Sequence, residues 1–315
     1  MPSLQELNYY LDHIKEIKRP DLDKTLNLIH RVTTARKSWK ELFIFAFDHR
    51  KQLEEMANSA GRSQSDISTL KQLFVKAVIE ITEENSLSGK VGVLIDDTYG
   101  QEALNHATGR NWWIARPVEL PGSRPLEFEH GENIGQLITT WPKEHIVKCL
   151  LFYHPDDETS LRQDQEKHVR QLYEACLMSG HELLLEIISP AHLPDDETAI
   201  PRAIERFYQL EIFPDWWKLK PPGQSSWQKI NHVIKTKAVN RPGIVLLGLD
   251  RPEDELAKGF EDAKGNELCH GFAIGRTIFS KPASDWLSKR ISDEILIQNV
   301  KDNYLKMIRI WKNNT

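Results

Sequence analysis

The sequence predicts an α/β fold: a (β/α)8 TIM barrel preceded by an N-terminal helical extension. Three observations lead there. Eight short apolar segments recur from residue 41 onward, with helical stretches between them. These segments are near-continuously apolar rather than alternating, as in parallel strands covered on both faces. No GxGxxG follows the first of them, which counts against a doubly wound dinucleotide fold. Eight such units fit a closed barrel of about 250 residues more readily than an open sheet.

Residues 1–40 read as a separate helical extension or interdomain linker. Ser3 and Glu6 have capping-box spacing, and Leu4, Leu7, Leu11 and Ile14 recur at helical intervals. Pro20 ends that helix, and Leu22, Leu26 and Ile29 mark a second. Residues 41–315 form the barrel. Its strands are expected in ELFIFAFDHR (41–50), VGVLIDDTYG (91–100), NWWIARPVELPG (111–122), HIVKCLLFYHP (145–155), HELLLEIISP (181–190), DWWKLKPP (215–222), GIVLLGLDRP (243–252) and CHGFAIGRTIFS (269–280). Helices are expected across about 65–85 and 160–179, and one from about 284 onward closes the chain.

A formal charge of -5 supplies no basic field for nucleic acid. No apolar run is long enough to span a bilayer, and the acidic, amphipathic N-terminus is unlike a signal peptide. Three scattered cysteines without a CxxC fit a reducing compartment, hence the cytoplasm. The 12 histidines are dispersed, with no HExxH, and no GxSxG is present. Zinc chemistry and a serine hydrolase are therefore poorly supported, and neither a metal nor another cofactor is expected.

The functional residues of a barrel stand at the C-terminal ends of its strands. Those ends carry Asp48, His49 and Arg50; Asp96 and Asp97; Arg116; Lys218 and Lys220; Gly248 and Asp250; Gly275 and Arg276. Lys148 and Glu186 lie inside apolar runs of the fourth and fifth strands, where a charge is rarely tolerated unless paired. A structural ion pair between them is one explanation, and proton transfer beside a nucleophile is the other. Asp48 could equally cap a helix, Asp96 close an Asx-turn and Arg50 be a surface cation.

Lys218 is the candidate nucleophile. Trp216, Lys218 and Lys220 share one strand face, which Pro221 and Pro222 cut short. Apolar walls and a second cation make a lysine's neutral amine available for a Schiff base. Gly248 and Gly275 permit close backbone approach, and Arg276 can clamp an anion such as a phosphate.

FAFDHR, VLIDDTYG, IVKCLLFYHPDD, LLLEIIS, DWWKLKPP and GFAIGR, in that order, resemble the class I tagatose-1,6-bisphosphate aldolases. More closely, the chain is similar to the aldolase-like domain fused to 5-dehydro-2-deoxygluconokinase in bacterial myo-inositol catabolism. The resemblance implies a Schiff base at Lys218. It implies substrate positioning and proton transfer by Lys148 and Glu186, the acid of an Asp-Gln-Arg motif at Asp48, and a phosphate-binding arginine at Arg276. His49 stands in place of that motif's glutamine, and Lys220 occupies a position often acidic in the family. Arg50, Asp96, Gly248 and Gly275 complete the expected substrate-binding set. The implied substrate is a phosphorylated keto sugar, in particular 5-dehydro-2-deoxy-D-gluconate 6-phosphate. Its cleavage yields dihydroxyacetone phosphate and malonate semialdehyde. A fused sugar-kinase domain and a homo-oligomer are the expected partners. The rival readings are a non-catalytic barrel that regulates or scaffolds the kinase, and an aldolase for tagatose 1,6-bisphosphate.

Overall fold

The computed structural model describes residues 39–238, 241–248 and 253–314. The expected helices of 1–40 fall almost wholly outside these residues, as does Asp250. The chain runs β1 (Leu42–Ala46), α1 (Lys51–Ser59), α2 (Gln64–Glu84), β2 (Val91–Leu94), α3 (Asp97–Ala107), β3 (Trp113–Pro117), α4 (Ile134–Thr139), β4 (His145–Phe152) and α5 (Thr159–Ser179). It continues through β5 (Leu183–Ile188), α6 (Ala199–Gln209), β6 (Trp216–Leu219), α7 (Gln224–Lys237), β7 (Gly243–Leu247), α8 (Glu253–Asp262), β8 (Cys269–Ile274), α9 (Arg276–Leu287) and α10 (Asp293–Asn314). The eight strands form one closed parallel barrel in sequence order, with β8 pairing back onto β1. Among the described residues no helix is long and apolar enough to cross a membrane.

Two apolar regions follow from strand alternation. Outward-facing Phe43, Phe45 and Phe47 of the first strand and its extension join the helix-covered core. Phe74, Phe279 and Tyr304 pack their rings around Phe45. Helix α2 is built for that surface: Ser63 and Asp66 close a capping box at its start. Its buried Ile67, Leu70, Phe74, Val78 and Ile81 recur at three- and four-residue steps. The barrel interior is filled by the other parity: Leu42, Ile44, Ala46, Leu94, Trp113, Ala115, Ile146, Leu184, Trp216, Val245 and Ala273. Trp39 joins this interior cluster, and the Trp113 and Trp216 rings meet edge-on at 5.6 Å. A filled interior leaves no room for a ligand between the strands and directs attention to the mouth above it.

The expected single closing helix is two. Helix α9 begins directly after β8, ends at Leu287, and turns through Lys289 at φ 59 into α10. Arg290 donates to Asp285 across the turn, fixing the break.

His145 opens β4 and is buried between Thr108, whose hydroxyl lies 2.9 Å from Nε2, and Arg116, 3.4 Å from Nδ1. Burial, reinforced by Arg116 and then His181, pulls its pKa from 6.5 down to about 4. Above pH 6.5 both folded and unfolded chains hold this ring neutral. Below that, only the unfolded chain takes the proton, so the stability this ring contributes falls as pH drops from 6.5 towards 4. The slope is about 1.4 kcal/mol per pH unit for one such proton. His145→Gln should flatten the pH dependence of the denaturant-unfolding free energy by that amount in this window. An unchanged slope would show that the ring titrates alike in both states.

Candidate active site

Continuing the interior parity one step above the apolar layers places a charge on β1, β3, β4, β5 and β6 or their extensions. Asp48 follows Ala46, Glu119 follows Pro117, Lys148 follows Ile146, Glu186 follows Leu184 and Lys218 follows Trp216. All five are buried. Register sets Glu186 directly beside Lys218 across β5 and β6.

Lys148 is the hub. Its Nζ lies 2.6 Å from Glu119 Oε1, 3.2 Å from Asp48 Oδ2 and 3.3 Å from Glu186 Oε2. Burial alone would favour its neutral form, but Glu119, Asp48 and Glu186 outweigh it and hold its pKa well above the ordinary lysine value. Lys148 is thus a fixed ammonium, unsuited to nucleophilic attack and suited to stabilising negative charge. Among the described residues, Lys218 Nζ has one carboxylate at ion-pair distance, Glu186 Oε1 at 2.9 Å. Of the two mouth lysines, Lys218 is the less enclosed by carboxylates among the described residues.

The carboxylates are not equivalent. Asp48 is buried, which opposes ionisation, yet Lys148, His49, Lys218 and Arg50 together hold it far below the usual carboxylate range. For Glu119 burial wins over Lys148 and Arg50, and its carboxyl is pushed up. Glu119 lies past the end of β3, where sequence reasoning had offered Arg116. The chain is held there by a short antiparallel pairing of Glu119 with Phe128. Leu120 N–H donates to Glu127 O at 2.8 Å, and Glu129 N–H to Val118 O at 2.9 Å. Arg116 faces outward, bonded to Asp97 at 2.7 Å and stacked 3.9 Å from the Trp141 ring centroid. Strand parity was the signal that could have found Glu119: Trp113, Ala115, Pro117 and Glu119 share one face.

Arg50 is buried at the edge of this cluster rather than on the surface. It donates to Glu119 O at 3.1 Å and to the Glu129 carboxylate, tying the loop after β3 to the end of β1. His49 packs edge-on against Phe279 at 5.3 Å. Burial, with Lys218, Arg276 and Lys148 outweighing Asp48, lowers its pKa to about 4, so the ring is neutral at neutral pH. Gly275 is sterically required. A Cβ there would lie 2.2 Å from Ala46 O and 2.8 Å from His49 Cε1.

Arg276 opens α9 and lines a cavity of about 340 Å³ between α1 and α9, with Gln52, Glu55 and Ser280 among its neighbours. Gly248 ends the described part of the loop after β7 and sits against Ile274, 3.3 Å from a built Cβ.

Two expected substrate-binding residues are engaged elsewhere. Asp96 caps α3 by accepting from Tyr99 N–H at 2.9 Å and forms a fully buried ion pair with Lys71 of α2. By strand parity it would point into the mouth, but helix α3 starts immediately after it and claims its carboxylate. The Asx-turn expected as the alternative at Asp96 takes the form of a helix cap. Lys220 stands beyond the last residue of β6 and pairs at the partly exposed rim with Asp195. It is absent from the Lys148 cluster because the strand has ended and parity no longer governs it.

A closed (β/α)8 barrel with a lysine–carboxylate cluster at its mouth defines the class of molecule. Residues 6–315 match the model of a family described as "Uncharacterized protein conserved in bacteria (DUF2090)", and the chain belongs to that family. No curated protein matches it. Among solved structures it is similar to fructose-bisphosphate aldolase from Plasmodium falciparum, solved in complex with TRAP and a small-molecule inhibitor. That likeness has a TM-score of 0.59 at 12% identity and covers 93% of this chain and 94% of the other. It is also similar to Cgl0159 from Corynebacterium glutamicum, with a TM-score of 0.56 at 13% identity, covering 100% and 99%. At these identities the likeness establishes the fold.

Proposed function

We propose that this protein is a class I aldolase that cleaves a phosphorylated keto sugar through a Schiff base on Lys218. The observation that carries this reading is the buried Lys218–Glu186 contact of 2.9 Å, beside an ammonium, Lys148, held by three carboxylates. Glu186 takes the Lys218 proton, and the amine attacks the substrate ketone. Loss of water from the carbinolamine, with Glu186 returning a proton to the departing hydroxyl, leaves an iminium. The iminium draws in the electron pair of the carbon–carbon bond next to it, giving an enamine and releasing an aldehyde. Protonation of the enamine carbon and hydrolysis free the second product and restore Lys218. Lys148 stabilises negative charge on the substrate oxygens during cleavage.

The first candidate substrate is 5-dehydro-2-deoxy-D-gluconate 6-phosphate, on the resemblance of the sequence, with tagatose 1,6-bisphosphate the second. The fold it shares with a fructose-bisphosphate aldolase supports the reaction class. Incubation with each sugar phosphate and borohydride, followed by peptide mass spectrometry, should place the reduced adduct on Lys218. No adduct with either substrate would favour a regulatory or scaffolding barrel.

Arg276 is proposed to anchor the substrate phosphate, because this cation stands at the first residue of α9, where the helix dipole also favours an anion. Arg276→Ala should therefore erode the preference for phosphorylated over dephosphorylated substrate, mainly through KM. Some loss in kcat is compatible, since remote binding energy is also used in the transition state. An unchanged preference in a competition assay would remove Arg276 from the phosphate site.

A further inference from the structure

We infer that Glu119 is the catalytic base that removes the proton from the substrate hydroxyl at the carbon–carbon bond being broken, the hydroxyl β to the Lys218 iminium. This inference rests on the aldolase reading above and goes beyond it, by assigning the proton acceptor for cleavage.

Among the described residues, three carboxylates surround Lys148, and their contacts separate them. Glu186 Oε2 also lacks a hydrogen bond and lies 3.3 Å from the Lys148 ammonium, but its Oε1 is held by Lys218, so this carboxylate serves the nitrogen chemistry. Asp48 lies among four cationic or ionisable groups, Lys148, His49, Lys218 and Arg50, which make its carboxylate a weak proton acceptor. Glu119 is 5% exposed. Its Oε1 accepts from Lys148 at 2.6 Å, while its Oε2 is buried with no hydrogen-bond partner. A buried carboxylate oxygen without a donor is costly, and a substrate hydroxyl supplies the missing one. The backbone of Glu119 is fixed from both sides, by Arg50 at its carbonyl and by the pairing with Phe128. Burial also raises its proton affinity, against the opposing pull of Lys148 and Arg50, which makes it the stronger base.

The step balances without another reactant. The hydroxyl proton passes to Glu119 Oε2 and the O–H electron pair becomes the aldehyde C=O bond. The carbon–carbon bond breaks, and its pair moves to the iminium to form the enamine. Lys148, bonded to Oε1, remains an ammonium throughout.

The test compares two reactions of one enzyme. Formation of the Lys218 iminium with dihydroxyacetone phosphate involves no β-hydroxyl cleavage, whereas cleavage of the ketose phosphate does. Glu119→Gln should still give the borohydride-trapped adduct with dihydroxyacetone phosphate. Its kcat for cleavage should fall on the order of 10²–10⁴-fold, with KM little changed. The acidic limb of the wild-type kcat–pH profile, where activity rises as Glu119 ionises, should disappear in Glu119→Gln and persist in Glu119→Asp. If Glu119→Gln does not fold, Glu119→Asp carries the test: reduced kcat with the limb retained supports the assignment, and wild-type kcat overturns it. Trapping of the wild type combined with wild-type cleavage by Glu119→Gln overturns the role of Glu119 alone. Failure of the wild type to form any adduct overturns the aldolase reading and this inference together.

Discussion

Lys218→Met should abolish cleavage, with a loss in kcat on the order of 10⁵–10⁶-fold, the scale expected when a covalent nucleophile is removed. Methionine fills nearly the same volume on the same strand face but offers no amine. The iminium is the only electron sink in the proposed reaction, so no neighbouring group can substitute. Lys148 cannot, because Glu119, Asp48 and Glu186 keep it protonated. Glu186 retains Lys148 at 3.3 Å after the substitution, so the mouth keeps a counter-cation and the barrel should fold. The measurement is steady-state cleavage of the ketose phosphate alongside borohydride trapping. A variant that loses the adduct but keeps turnover would show that Lys218 is a bystander. Retention of an adduct on another lysine would move the nucleophile elsewhere in the mouth.

The largest effect on stability should come from Lys71→Met. Lys71 and Asp96 are both fully buried, and Lys71 Nζ also donates to Phe47 O at 2.8 Å. Removing the lysine leaves the Asp96 carboxylate in the core without its cation, a change that costs about 3–5 kcal/mol. The double variant Lys71→Met/Asp96→Asn removes both charges and should recover part of that loss. Denaturant unfolding of the three proteins reads this directly as shifts in midpoint at constant slope. Equal stability of Lys71→Met and wild type would mean that the pair is not buried in solution. The single variant Asp96→Asn, measured for both unfolding midpoint and KM, separates two roles for Asp96. A structural Asp96, the role its contacts indicate, loses stability when changed to Asn. A substrate ligand would raise KM and leave the midpoint in place.

The barrel was legible because its cause is local and repeated. Segments such as Leu42–Ala46 and Gly243–Leu247 are apolar on both faces, and only a helix-covered parallel sheet buries both. Lys148, Glu186 and Lys218 were legible for the complementary reason. A charge inside such a segment demands a partner, and strand parity points all three into one mouth. Parity fails where the strand stops, and there the sequence alone could not decide. Asp96 follows β2 on the inward parity, yet the first turn of α3 and Lys71 claim its carboxylate. Lys71 itself reads as an ordinary lysine on an amphipathic helix, since nothing near it in sequence signals a carboxylate waiting 25 residues away. Lys220 lies past the end of β6 and turns to Asp195 at the rim. Glu119 is the converse case. It keeps the inward parity of β3 beyond a proline and past the strand's last residue, and it is held at the mouth by Phe128, Arg50 and Lys148, which belong to three other parts of the chain. Local periodicity fixed the strands and the charges within them. Which carboxylates meet which lysines was decided by contacts across 25 to 100 residues of sequence, which only the closed barrel brings together.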